Sequence, residues 1–245
     1  MIDNPTALVT GANKGLGRET ARQLAAAGAT VLLGSRDMRR GEAAAAELAA
    51  EGLRVLPVQL DVTDVDGVER VAARIREEFG SLDILVNNAG GIVESPALST
   101  TAADVRATYE TNVFGVVTVT HTMLPLLAAS AAARIVNVSS TTASLTLTSE
   151  PGTIYADADH ILPYASSKAA LNMLTVQYAQ AFRREPGYGH IKINSASPGL
   201  TATDLTHNAG ARTAEEGAGI IVKLATLPDD GPSGGYFNED GPAPW

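Results

Sequence analysis

Short apolar runs alternate with longer amphipathic stretches along the chain. Ala7-Leu8-Val9 reads as a first strand, and a periodic, Ala-rich run from Arg18 to about Ala27 as a helix. Thr30-Val31-Leu32-Leu33 is a second buried strand, ending at Gly34-Ser35-Arg36-Asp37. Met38 to Ala50 is helical, with Glu51-Gly52 closing it. Arg54 to Leu60 is a third strand, although Pro57 argues against a central place in a ladder. Val65 to Phe79 carries helical apolar spacing at Val68, Val71, Ala72 and Ile75, and Gly80 ends it. Leu82 to Val86 is a fourth strand, running into Asn87-Asn88-Ala89-Gly90-Gly91.

Ser99-Thr100 begins another helical region. Asn112 to Ala129 reads as a long apolar helix bent or shortened by Pro125. Arg134 to Val138 is a fifth strand ending in Ser139-Ser140. From 141 to 162 the pattern lapses into Thr, Asp, Pro and Gly, which predicts a loop. Helical periodicity returns from Pro163, a residue suited to a first turn, to about Phe182. Ile191 to Ser195 is a sixth strand leading into Ser197-Pro198-Gly199, Thr213 or Ala214 to Leu227 a last helix, and Gly235-Tyr236-Phe237 a short final strand. The alternation predicts an α/β fold: a doubly wound, mostly parallel sheet of about seven strands with helices on both faces. No repeat or linker interrupts it, so residues 1–245 are expected to form one domain with an inserted loop around 145–162.

Composition narrows the partners. The chain carries 27 acidic and 18 basic residues, a net charge of −9, with no Lys/Arg cluster beyond Arg39-Arg40 and Arg183-Arg184. Nucleic acid is disfavoured as a main substrate. The absence of cysteine excludes disulfides, thiolate chemistry and Cys-ligated metals. The four histidines show no metal-ligand spacing, so no metal is expected. Met1-Ile2-Asp3-Asn4-Pro5 does not read as a signal peptide, and no apolar run reaches the ~18 residues of a spanning helix. The expectation is a cytoplasmic protein without membrane attachment.

Thr10-Gly11-Ala12-Asn13-Lys14-Gly15-Leu16-Gly17 lies between the first strand and the first helix. Three glycines let the backbone turn tightly and approach a bound group, and the helix start offers free N–H groups to a phosphate. The spacing Gly-x-x-x-Gly-x-Gly differs from both the commoner dinucleotide fingerprint and the P-loop. Alone, the loop is also compatible with an ordinary glycine turn. The other polar strand ends are Ser35-Arg36, Asp61-Val62, Asn87 to Gly90, Ser139-Ser140 and Pro198-Gly199. In such a sheet they converge on the rim where ligands bind.

With Tyr164-Ala165-Ser166-Ser167-Lys168, these segments resemble the short-chain dehydrogenases/reductases over essentially the whole chain. The landmarks come in family order: the glycine loop, Asp61, Asn87 to Gly90, Asn112, Ser140, Tyr164, Lys168 and Pro198-Gly199. Lys14 and the stretch from Gly234 to Trp245 look most like the carbonyl-reductase-like branch. The resemblance implies hydride transfer between NADP(H) or NAD(H) and a small-molecule carbonyl or secondary alcohol. Tyr164 is then the acid in reduction and the base in oxidation. Lys168, four residues on, would lie on the same helix face, favour the phenolate and hold the nicotinamide ribose. Ser140 would bind the substrate oxygen, with Ser139 a competitor. Asn112 would hold the proton-relay arrangement, though it could equally cap the helix it opens.

For the cofactor, the resemblance implies contacts from Gly11, Asn13, Lys14, Gly15, Leu16, Gly17, Asp61, Val62, Asn88, Ala89, Gly90, Tyr164, Lys168, Pro198, Gly199, Leu200 and Thr203, with Asn87 beside them. Ser35 stands where NAD-preferring relatives place aspartate, and Arg36 follows it. Arg36 and Lys14 could hold a 2′-phosphate from two sides, which favours NADP(H) over NAD(H). Asp37 is the counter-observation. The stretch from Ser140 to Tyr164 is longer than the family pattern and should cover the active-site mouth or remain a solvent loop. Leu145, Leu147, Ile154, Leu200 and Leu205 are candidate pocket residues. A homodimer, a homotetramer and a monomer all stay open. Two other classes fit the same fold: a dehydrogenase or ketoreductase of sugar or secondary metabolism, and a non-catalytic nucleotide-sensing protein. The second commonly lacks the tyrosine or lysine present here.

Overall fold

The computed structural model describes residues 4–153 and 158–245. Its centre is an eight-stranded sheet in the order β3-β2-β1-β4-β5-β6-β7-β8. The strands are β1 (Thr6–Val9), β2 (Thr30–Ser35), β3 (Val55–Gln59), β4 (Ile84–Asn87), β5 (Arg134–Val138), β6 (Lys192–Ala196), β7 (Tyr236–Asn238) and β8 (Gly241–Pro242). All neighbours are parallel except β7 and β8. The continuous Val/Leu/Ile runs of β1, β2 and β4 are those of strands covered on both faces. Pro57 is accommodated because β3 is an edge strand, where one side of the backbone needs no partner. The eighth strand exceeds the expected number. Its two residues carry no alternation by which a sequence could announce it.

Helices cover both faces. α1 (Gly15–Ala26), α2 (Met38–Ala50) and α8 (Ala214–Ala225) bury Leu24, Leu48, Ile221 and Leu224 against one side. α3 (Val65–Glu78), α5 (Gly115–Ala129) and α7 (Leu162–Arg184) bury Ile75, Val119, Met123, Leu127 and Phe182 against the other. Burying each of these large side chains contributes about 1.5–3 kcal/mol. The connection reverses direction across the sheet between β1 and β4, which opens a crevice at their carboxyl ends.

The region before β5 corrects the expected helix start. α4 (Ala102–Tyr109) begins at a capping box in which the Thr101 hydroxyl accepts from the Asp104 N–H and the Asp104 carboxylate accepts from the Thr101 N–H. It continues through a π-turn, Glu110–Phe114, directly into α5. Asn112 therefore lies inside a continuous helix and caps nothing. Ala102–Ala129 is long and apolar enough to cross a bilayer by length and composition, but half of its most apolar window is buried inside the molecule. Val119, Met123 and Leu127 place it as a core helix.

The expected loop 141–162 is also partly helical. A 3-10 turn, Thr141–Ala143, leads to the short helix α6 (Leu145–Ser149), capped by the Ser144 hydroxyl. A second 3-10 turn spans Ala158–His160. Its end is tied to the β4–α4 connection: the Ser95 N–H donates to the His160 carbonyl at 2.8 Å and the Ala97 N–H to the Asp159 carbonyl at 2.9 Å. The many hydroxyls that suggested a loop instead close short turns on the backbone.

Candidate active site

The glycine loop is stitched to the end of β4. The Thr10 hydroxyl accepts from the Asn88 and Ala89 N–H groups at 3.0 and 2.9 Å. The Asn88 amide donates to the Thr10 and Gly11 carbonyls at 2.8 and 3.1 Å. Gly11 has φ +61°, and a Cβ there would lie 2.9 Å from Ala89 Cα. At Gly17 a Cβ would come within 2.4 Å of Asn88 Nδ2 and 2.7 Å of the Gly11 carbonyl oxygen. Gly17→Ala is therefore expected to lower stability by about 1–3 kcal/mol. Thermal unfolding measures this, and an unchanged midpoint would dismiss the contact as yielding. α1 starts at Gly15, with Lys14 at its N-cap supplying no side-chain cap, so the first N–H groups of the helix remain available. Leu16 packs against the adjoining core.

Ser35 is buried, donates to the Asp37 carbonyl at 2.8 Å and packs against Gly41. Asp37 is engaged in capping α2, accepting from the Arg40 N–H and lying 3.5 Å from Arg40 Nε. Arg36 lines a depression with Gln59, Asp61 and Arg70. Lys14 lines another, with Asn13, Arg18, Arg40 and Asp204. Lys14 and Arg36 thus line separate depressions. Lys14 Nζ pairs with Asp204 at 2.5 Å instead, holding that carboxyl below its usual range. Arg40, which the sequence reading left out of the site, lines the depression with Lys14. It stood in view as half of Arg39-Arg40. Asp61 closes a turn on Thr63 at 3.0 Å, while the Val62 side chain is buried near Gly115, leaving its backbone for any ligand.

Asn87 does not line the rim. It is buried and donates to Asn137 at 2.9 Å and Thr120 at 3.2 Å, tying β4 to β5 and α5. After β6, Gly199 takes φ +73° beside Arg212, Leu200 is exposed, and the Thr201 hydroxyl bonds back to Pro198. A Cβ at Gly15 would meet the Thr203 methyl at 3.5 Å, so this connection touches the glycine loop. Leu145 and Leu205 are exposed and Leu147 is half-buried. Ile154 lies outside the described residues.

At the centre, Tyr164 and Lys168 project from successive turns of α7, with Lys168 Nζ 5.7 Å from the Tyr164 ring centroid. Lys168 is 4% exposed and donates to the Val138 carbonyl at 2.7 Å. Burial pulls its pKa down to about 8. Burial pushes the Tyr164 phenol up, opposed by a hydrogen bond with the Ser140 side chain. Desolvation, which disfavours the phenolate, outweighs that bond, while the Lys168 ammonium donates to the Val138 carbonyl. Ser140 caps the Thr141–Ala143 turn, and its hydroxyl lies 2.9 Å from that of Thr142. Ser139 is buried, and its hydroxyl finds no partner among the described residues.

Asn112 is fully buried. Its carbonyl oxygen accepts from the Gly91 N–H at 2.9 Å, and its amide donates to the Gly91 carbonyl at 2.9 Å and to Ser167 at 3.0 Å. The Ser167 hydroxyl in turn donates to the Tyr164 carbonyl at 2.7 Å. The π-turn aims this amide at the turn after β4 and at the α7 face carrying Lys168. A Cβ at Gly90 would lie 3.6 Å from Lys168 Nζ.

Residues 5–214 match the sequence profile of the short chain dehydrogenase family, leaving β7 and β8 outside the match. The short-chain dehydrogenase anuI of Penicillium roqueforti is 38% identical over 230 residues, covering 92% of this chain and 90% of that one. The structure of salutaridine reductase from Papaver somniferum superposes with a TM-score of 0.83 at 32% identity, over 96% of this chain and 99% of the other. An NADPH-bound carbonyl reductase from chicken fatty liver superposes with a TM-score of 0.86 at 27% identity, over all of both chains.

Proposed function

The chain belongs to the short-chain dehydrogenase family, and on that premise we propose that it is an NADPH-dependent reductase of small-molecule carbonyls, reversible toward the secondary alcohol. The observation that carries the reading is the meeting of Tyr164, Ser140 and Lys168 at the rim beside the glycine loop. The residues present suit a dinucleotide. Glycine occurs where a Cβ would collide, the first turn of α1 is uncapped, and Lys14, Arg18, Arg36 and Arg40 lie at the adenosine end. When bound, the nicotinamide supplies the hydride.

Tyr164 donates its proton to the substrate oxygen as the carbonyl is reduced. Its buried phenol stays protonated, which suits donation. The Ser140 hydroxyl holds the same oxygen and stabilises the charge developing there. Its bond with Tyr164 favours Ser140 over the enclosed Ser139. Lys168 provides a positive charge beneath the tyrosine, and Asn112 fixes the backbone opposite it. The exposed leucines Leu145, Leu200 and Leu205 are the apolar side chains proposed to meet a bulky ketone or aldehyde.

The phosphate preference rests on Ser35 and Asp37. Neither offers a free carboxylate to ribose hydroxyls, while Arg36 and Arg40 can each give charge-assisted bonds to a 2′-phosphate. The test is turnover of a panel of aldehydes, ketones and alcohols with each cofactor. NADPH should be used well above NADH. Arg36→Ala combined with Arg40→Ala should raise the KM for NADPH by about 10–100-fold, at about 1.5–3 kcal/mol for charged hydrogen bonds, and leave NADH untouched. Equal use of NADH by the unmodified protein would sink the preference.

A further inference from the structure

We infer that Tyr236 and Trp245 are positioning residues for Ser140, acting as a strut from the far edge of the sheet. The inference rests on the reading of Ser140 as the group that holds the substrate oxygen. The Tyr236 hydroxyl donates to the Ser140 carbonyl at 2.7 Å. That carbonyl also accepts from the Ala143 N–H at 2.9 Å, so both its lone pairs are engaged. The peptide plane leaving Ser140 is held from two directions, which fixes the backbone from which its hydroxyl projects.

The strut is itself held. Trp245 stacks on Tyr236 with ring centroids 5.5 Å apart and planes inclined by 28°. The Trp245 backbone oxygen accepts from the Thr146 N–H at 2.9 Å and the Thr146 hydroxyl at 2.6 Å. Thr146 belongs to α6, which follows the turn opened by Ser140. The Ala243 N–H donates to the Tyr236 carbonyl at 2.8 Å, folding the last segment back over β7. A closed circuit results: Ser140, the turn, α6, Trp245, Tyr236 and Ser140 again. α6 has only five residues and little intrinsic stability, so its place is set by such outside contacts.

A core tyrosine with no bearing on chemistry would be a filler of volume, and its loss would act alike whatever residue occupies 140. The strut instead acts through the serine hydroxyl. Tyr236→Phe keeps the ring and the stack and removes only the donor. Its kcat for carbonyl reduction should fall about 3–10-fold, with the KM for NADPH and the melting temperature near those of the unmodified protein. In a Ser140→Ala background the same change should have no further effect on kcat. Trp245→Ala should reproduce the loss and Trp245→Phe restore most of it. Trp245 is the only tryptophan in the chain, so its fluorescence reports whether the segment is docked in each Tyr236 variant. Full kcat in Tyr236→Phe, or an equal loss with and without the Ser140 hydroxyl, would overturn the strut alone. An unmodified protein that reduces no carbonyl in the panel with either cofactor would overturn the reading of the site, and the strut with it.

Discussion

Tyr164→Phe should lower kcat for carbonyl reduction by about 10²–10⁴-fold, the range in which a positioned acid contributes. The substitution removes one oxygen and leaves the ring that Lys168 faces at 5.7 Å. It therefore separates proton donation from packing. NADPH affinity, measured by fluorescence titration, and the unfolding midpoint should change little. Burial raises the phenol above its ordinary value, so the acid form is expected to persist across neutral pH. Activity within a few-fold of the unmodified protein would remove Tyr164 from the chemistry.

The parts of the site readable from sequence were those whose chemistry depends on residue type at fixed local spacing. Tyr164 and Lys168 are four apart on one helix, and helical geometry alone places them on one face. The glycines of the loop were readable for the same reason. What that reading lacked was the partner: the Thr10 hydroxyl and the Asn88 amide bond the loop across nearly eighty residues of sequence. Asn112 shows the limit more sharply. Apolar periodicity begins just after it, so the sequence suggests a helix start. The π-turn shifts the phase of a helix already under way and hides the continuity.

Charge was harder to place than shape. Lys14 and Arg36 flank the same predicted site, yet an exposed carboxylate from the connection after β6 takes the lysine. A long flexible cation goes to the nearest anion in space, and sequence gives no such distance. Asp37, the residue that spoke against the phosphate, instead caps α2, a task that depends on where that helix begins. Tyr236 was legible only as strand. Its hydroxyl reaches Ser140 because β7 and β5 lie two strands apart, on either side of β6.

Lys168→Met should abolish most reductase activity and yet make the folded protein more stable near pH 7. The lysine is 4% exposed, and burial lowers its pKa from 10.5 to about 8. Between those values the unfolded chain binds the proton that the folded chain has released, so stability rises with pH across that window. Below about pH 8 both states are protonated and the full cost of the buried charge is borne. At 1.36 kcal/mol per pKa unit that cost is about 3 kcal/mol. The bond from Nζ to the Val138 carbonyl offsets part of it. Methionine has similar length and no charge, so a gain of about 1–3 kcal/mol is expected at pH 7 and most of it should vanish by pH 10. Urea unfolding of the cofactor-free protein at the two pH values measures the difference. A variant less stable than the parent at pH 7, or a gain independent of pH, would show that the ammonium is not held there at a cost. A gain that fades with pH, alongside lost turnover, would mean that the fold tolerates a destabilising charge at the one place where the proposed chemistry uses it.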